Sequence, residues 1–225
     1  MKITQILEGK PFMTEFGIVG YSSVILVQEE EKNILYDCGS KGCALQLKAG
    51  LKEQGLLPED ITHVVVSHMH FDHVGNLPLF CNAEILMNKV EWDYANETPD
   101  EWDCVATCDY IKHHRSLKFI AEGTKLTGSV RVMELPGHTA GMIGLKCGDD
   151  VILCSDAIKN RYEMWEDMPL MSIDVQKSIA SRKRIQEEAR YIYTGHDVML
   201  DVHQPVNREA IHFNILFANG TEKSL

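Results

Sequence analysis

Seven residues in the first third of the chain, Ser67-His68-Met69-His70-Phe71-Asp72-His73, restrict its fold more than any other feature. Three imidazoles and one carboxylate at these offsets form a metal-ligand set. The preceding run Thr62-His63-Val64-Val65-Val66-Ser67 reads as a buried strand that delivers them. His68 and His70 lie two apart just past that strand, so they point the same way, toward one ion. Asp72 and His73 are adjacent and enter a turn, so they diverge and can serve a second ion. Mixed imidazole and carboxylate donors suit Zn²⁺, Fe²⁺ or Mn²⁺.

The surrounding pattern is α/β. Residues 22–28 and 33–37 read as paired strands across the charged turn Glu29–Lys32, and residues 43–54 have helical periodicity through Leu45, Leu47 and Leu51. A second block predicts strands at 131–135, 142–146 and 151–155, with Gly148-Asp149-Asp150 as a turn. A helix over roughly 174–190 and a strand at 191–194 follow. Two blocks of strands then helix predict two packed sheets with helices outside, with the chemistry on loops that follow strands. The 225 residues carry no repeat or linker and are expected to form a single domain, 1–225.

Net charge is −11, which disfavours a broad phosphate-backbone footprint without excluding nucleic acid. The one dense basic run, Arg182-Lys183-Arg184, lies on the predicted helix and is expected to be a solvated face. Seven scattered cysteines without a CxxC pair, together with the lack of a signal-like N-terminus or a membrane-length apolar run, predict a soluble cytoplasmic protein. Cys104-x3-Cys108 followed by His113-His114 does not have zinc-motif spacing and is expected to roof a cleft instead.

The HxHxDH motif after an apolar strand resembles the signature of the metallo-beta-lactamase superfamily. The chain supplies further segments like that family's in order: Leu135-Pro136-Gly137-His138-Thr139, Leu153-Cys154-Ser155-Asp156-Ala157 and Tyr193-Thr194-Gly195-His196-Asp197. The resemblance implies a four-layer αββα sandwich and a dinuclear site. By it, His68, His70 and His138 hold one ion, Asp72, His73 and His196 the other, and Asp156 bridges both. Asp37, at the end of an earlier strand, matches the aspartate that orients a ligating imidazole.

The implied activity is hydrolysis by a hydroxide held between two divalent transition-metal ions, zinc first, with iron or manganese as alternatives. Asp72 has a second implied role in passing on the water's proton. No cysteine nucleophile is needed, so Cys154 reads as core. Departures from several branches narrow the substrate. Asp156 stands where secreted β-lactamases of the best-known type have cysteine, and His70 where flavodiiron proteins have glutamate. Only 29 residues follow His196, too few for the helical domain of glyoxalase II enzymes, and the 17 between His138 and Asp156 leave no room for an RNA-processing insertion. The segment after Asp156 is most similar to acyl-homoserine lactonases, which carry a substrate-contacting tyrosine there. Tyr162 is the candidate, and it reads equally as a packed aromatic. Phe12, Met13, Phe16, Tyr162, Met164 and Trp165 are available as an apolar wall. The leading expectation is a small-molecule lactone, ester or thioester as substrate, with a phosphodiester or RNA as the alternative. No membrane is expected as a partner, and a homodimer is allowed.

Overall fold

The protein is described by a computed structural model covering residues 1–15, 17–114, 116–204, 214–216 and 222–224. Short strands with apolar residues on both faces need cover on both sides, and the chain provides it by stacking two sheets. After β1 (Lys2–Leu7) comes a small hairpin, β2 (Met13–Thr14) and β3 (Gly17–Ile18), then β4 (Val24–Glu29) and β5 (Lys32–Tyr36). With β6 (His63–Val65), β7 (Glu84–Met87) and β8 (Leu117–Phe119), the first sheet has the order β1-β4-β5-β6-β7-β8. β1, β4 and β5 pair antiparallel, with Val27 opposite Ile34, whereas β5 through β8 run parallel.

The second sheet contains β9 (Val130–Glu134), β10 (Ile143–Cys147), β11 (Val151–Ser155), β12 (Tyr191–Thr194) and β13 (Leu200–Asp201), in the order β13-β12-β11-β10-β9. β11 and β12 are parallel. A further pair, β14 (Asn214–Leu216) and β15 (Glu222–Ser224), lies outside both sheets.

Three separate apolar cores reveal four layers. Between the sheets, Ile25, Val27, Ile34, Tyr36 and Val65 meet Val132, Ile143, Leu145 and Leu153. The outer face of the first sheet packs Leu26, Leu35, Val64 and Ile85 against Leu47 and Leu51 of α1 (Ala44–Glu53). α2 (Phe71–Val74), α3 (Lys89–Glu97) and α4 (Val105–Lys112) join this layer through Val74, Ala95, Cys108 and Ile111. The outer face of the second sheet packs Met133, Ile152 and Ile192 against Ile185 of α5 (Val175–Glu188). This is the αββα sandwich expected from the sequence, and Cys154 lies in its outer core as foreseen.

The basic run on α5 departs from expectation. Arg182 is buried, and its guanidinium donates to the carbonyls of Glu163 and Glu166, tying the 163–166 turn to the helix. Only Lys183 of the run is largely solvated. A guanidinium can be buried where carbonyl oxygens accept its protons, a pairing that the helical charge pattern does not reveal. Among the described residues, no helix is long and apolar enough to cross a membrane.

Candidate metal centre

Parallel pairing brings the chemistry to one rim. β5 and β6 run together, so Asp37 and the 67–73 segment emerge at the same edge. β11 and β12 do likewise with Asp156 and His196. Contact between the two sheets is fixed there by Tyr36, whose hydroxyl donates to the Ile143 carbonyl at 2.8 Å. The one-turn helix α2 then carries Asp72 and His73, and the His73 ring lies 4.0 Å from that of His68. Two glycines allow the remaining loops to approach. A Cβ on Gly195 would lie 1.8 Å from Asp156 Oδ1, and one on Gly137, whose φ is +135°, would lie 2.2 Å from the backbone nitrogen of Ser178.

All seven residues expected as ligands converge. The ligand atoms of His68, His70 and His138 lie within 4.8 Å of one another, and so do those of Asp72, His73 and His196. Asp156 lies between the groups, with Oδ1 3.4 Å from His73 Nε2 and 3.3 Å from His196 Nε2, and Oδ2 3.4 Å from His138 Nε2. His68 Nε2, His73 Nε2 and Asp156 Oδ1 are buried without a hydrogen-bond partner. Buried polar atoms left unpaired are costly, and three aimed at one small space call for cations to satisfy them. The donor set and these orphaned atoms therefore fit two divalent ions.

The opposite nitrogen of every imidazole is occupied. His68 Nδ1 is 2.9 Å from Ser67 Oγ, which itself donates to Asp37 at 2.7 Å, and His73 Nδ1 reaches Asp37 directly at 2.8 Å. His138 Nδ1 donates to the Met171 carbonyl at 2.6 Å, and His196 Nδ1 to that of Tyr21 at 3.1 Å. His70 is inverted: Nε2 meets Asp100 at 3.0 Å, and Nδ1 turns inward, 3.1 Å from His138 Nε2. Such partners fix each tautomer so that the inner nitrogen keeps its lone pair. Asp37, with φ of 58°, also accepts from the Ser67 amide and from Ser155.

The electrostatics suit cation binding. Burial, then neighbouring His73, His70 and His138, hold His68 well below the usual imidazole pKa, and burial followed by Lys159 does the same to His138. Burial opposes charge on His73 too, but Asp72, Asp156 and Asp37 together keep it well above the usual value. Asp156 is held well below the usual carboxylate range; burial opposes this, and Lys159, His196 and His73 outweigh it. Imidazoles must shed protons and carboxylates stay ionised to take metal, so affinity will depend on pH.

Sequence reasoning missed several residues. Lys159 is buried, with Nζ 2.8 Å from Asp156 Oδ2. Glu91 of α3 is fully buried and accepts from the Met69 amide, the Thr139 hydroxyl and the Gly141 amide, binding the 67–73 segment to the His138 loop. Burial pushes its carboxyl up to about 7 against these three donors. Neither carries a motif; both are recognisable only once distant segments meet.

A cleft opens over the centre. Phe12, Met13, Ile18, Phe71, Trp102 and Met171 line it, with His70, Asp72, His138, Asp156, Lys159 and His196 toward its floor and Lys10 at its wall. Phe12 and Met13 thus occupy the place expected of an apolar wall, whereas Phe16 lies outside the described residues. Met164 is buried in the outer core of the second sheet, Trp165 lies beside α5, and Tyr162 is exposed and is not among the residues that line the cleft. The residue that lines the cleft shortly after Asp156 is Lys159. Cys104 and Cys108 join no candidate metal cluster among the described residues. Cys108 packs in the core on α4, and the loop preceding that helix contributes Trp102 to the cleft.

The family model of the metallo-beta-lactamase superfamily matches residues 17–196. An N-acyl homoserine lactonase of Bacillus sp. is 27% identical over 160 residues, 66% of this chain and 60% of that protein. The matched stretch therefore covers less than two thirds of the lactonase. A Xenopus laevis protein, metallo-beta-lactamase domain-containing protein 1, is 28% identical over 208 residues, covering 84% of this chain and 82% of its own length. Among solved structures, a Thermotoga maritima chain superposes with a TM-score of 0.74 at 19% identity, covering 89% of this chain and 98% of its own. A Bacillus thuringiensis AiiA variant with N-decanoyl-L-homoserine at its active site gives 0.66 at 21% identity, with coverages of 87% and 89%.

Proposed function

Because the chain belongs to the metallo-beta-lactamase superfamily, we propose that it is a hydrolase that holds two divalent transition-metal ions and cleaves a small carbonyl ester: a lactone, ester or thioester. The observation that carries the reading is the pairing of an apolar cleft lined by His70, Asp72, His138, Asp156 and His196 with a cluster in which His68 Nε2, His73 Nε2 and Asp156 Oδ1 are buried and unpartnered. The likeness to N-acyl homoserine lactonases supports the same substrate class. Ions bound there would supply Lewis acidity and a water of lowered pKa.

The protein's own groups divide the remaining work. His68, His70 and His138 would hold one ion and His73, His196 and Asp72 the other, with Asp156 available to both. Asp72 lines the cleft, where its carboxylate would serve as a proton acceptor. His138 Nδ1 is committed to Met171, so among the described residues the Lys159 ammonium has Asp156 at 2.8 Å as its close partner, with His138 Nε2 farther off at 3.4 Å. Its remaining protons are available to an oxygen of the substrate carbonyl or leaving group. Phe12, Met13, Ile18, Trp102 and Met171 exclude water and receive the alkyl or acyl part.

A polynucleotide would need several cations along its phosphates, whereas the cleft offers Lys10 and Lys159. The test is a screen of the metal-reconstituted protein against lactones, aryl esters, thioesters, bis(p-nitrophenyl) phosphate and single-stranded RNA. Carbonyl esters should be turned over with little sensitivity to salt, the phosphodiester more slowly, and Lys159→Met should lower kcat about 100-fold. Robust RNA cleavage with every carbonyl substrate untouched would replace this reading with a nuclease.

A further inference from the structure

Within the group Asp72, His73 and His196, one imidazole is backed by a carboxylate: His73 by Asp37. His68, His138 and His196 rest on neutral oxygens of Ser67, Met171 and Tyr21. Among the described residues, the other imidazole of the centre with an anionic acceptor is His70, whose Nε2 lies 3.0 Å from Asp100 Oδ2. Each three-residue group therefore contains one carboxylate-backed histidine, supplied from entirely different parts of the chain.

We propose that Asp100 is the positioning residue for the group His68, His70 and His138. It holds His70 as the Nε2–H tautomer, turns Nδ1 into the centre, and makes that nitrogen a stronger donor. The inference rests on reading these three histidines as ligands of one ion.

The carboxylate is built into place. Asp100 Oδ2 also accepts from the Tyr94 hydroxyl at 3.1 Å, Oδ1 accepts from the Trp102 amide at 2.8 Å, and the Asp100 amide donates to Asp103 at 3.0 Å. The loop carrying it is laced to the motif on both sides of His70. The Phe71 amide donates to the Trp102 carbonyl at 2.9 Å, and the Cys104 amide to that of Met69 at 3.0 Å. The Asp100 side chain is only 22% exposed, so its hydrogen bonds are partly shielded from water. Trp102 lines the cleft, so the loop that orients His70 also forms the substrate wall.

The experiment uses the full chain stripped of metal and titrated with Zn²⁺ against a chromophoric chelator, with Co²⁺ absorption as a second readout. Asp100→Ala should weaken one of two equivalents about 10–100-fold and shift the cobalt spectrum, leaving the other equivalent nearly unchanged. Asp100→Asn retains an acceptor without the charge and should fall between Ala and wild type. Tyr94→Phe, which leaves the imidazole contact intact, should change affinity by no more than about threefold. Circular dichroism of the ion-free variants checks the fold, and if Asp100→Ala does not fold, Asp100→Asn carries the test. Wild-type affinity for both equivalents in a folded variant would overturn the proposal. So would a third zinc equivalent in the wild type that Asp100→Ala and Asp103→Ala lose, because His70 Nε2 would then bind an ion instead of donating a proton. These affinities are read without turnover, so failure of the hydrolase reading is separately visible.

Discussion

A carboxylate placed among three imidazoles of two different groups is a single point on which both depend. Asp156 offers one oxygen toward His73 and His196 and the other toward His138. Asp156→Ala should therefore reduce metal content at both sites together and abolish hydrolysis, as read by elemental analysis after reconstitution and gel filtration. His63 provides the contrast. It sits at the start of β6, bonded to Thr62 and near Glu84, and has no place in the centre. His63→Ala should retain two ions per chain. Full metal load and activity in Asp156→Ala would refute the shared role.

Elements determine the centre where their ends touch. The turn Pro136-Gly137-His138 passes so close to the start of α5 that a Cβ at Gly137 would meet the Ser178 backbone at 2.2 Å, in a φ region that favours glycine. The same helix start is anchored by Asp174, whose side chain caps Lys177, and by Ser178 and Ser181, which bond Ser172 and the Pro136 carbonyl. Neither side of that contact can yield cheaply. Gly137→Ala is expected to cost about 3 kcal/mol of stability and to displace His138, lowering the affinity for one ion before the other. Denaturant unfolding and metal titration would check the two effects separately. Unchanged stability would mean the loop relaxes more freely than its packing indicates.

On the scale of the whole molecule, the centre joins two halves of the chain. His68, His70, Asp72 and His73 follow the first sheet, whereas His138, Asp156 and His196 belong to the second. Ions that bind all of them stabilise only the state in which the sheets are stacked. At metal concentrations near 1,000 times the dissociation constant, one such site adds about 4 kcal/mol. For a chain of 225 residues, that shifts the melting temperature by roughly 8–16 °C. Chelation should lower the Tm by about that amount and re-addition of Zn²⁺ restore it; calorimetry with and without chelator measures both. A Tm indifferent to chelation would show that the sheets hold the centre together without help from ions.

The sequence by itself determined His68, His70, Asp72 and His73, because ligand chemistry demands particular side chains and the strand end fixes their spacing, and the family resemblance of three later segments added His138, Asp156 and His196. The family resemblance of the motifs implied the four-layer αββα order, and apolar periodicity in two blocks predicted two packed sheets with helices outside. Helix α5 and strands β9 to β12 lie within a residue or two of their expected bounds for that reason. Only the tertiary structure decided what surrounds those ligands. Lys159 rather than Tyr162 lines the cleft, with its ammonium held by Asp156, and Arg182 is buried because the 163–166 turn offers its carbonyls. Asp100 and Glu91 acquire their roles from His70, Met69, Thr139 and Gly141, between 22 and 50 residues away in sequence. A ligand type is a local property of the chain, whereas a hydrogen-bond partner that orients it depends on which distant segments the packing brings within 3 Å.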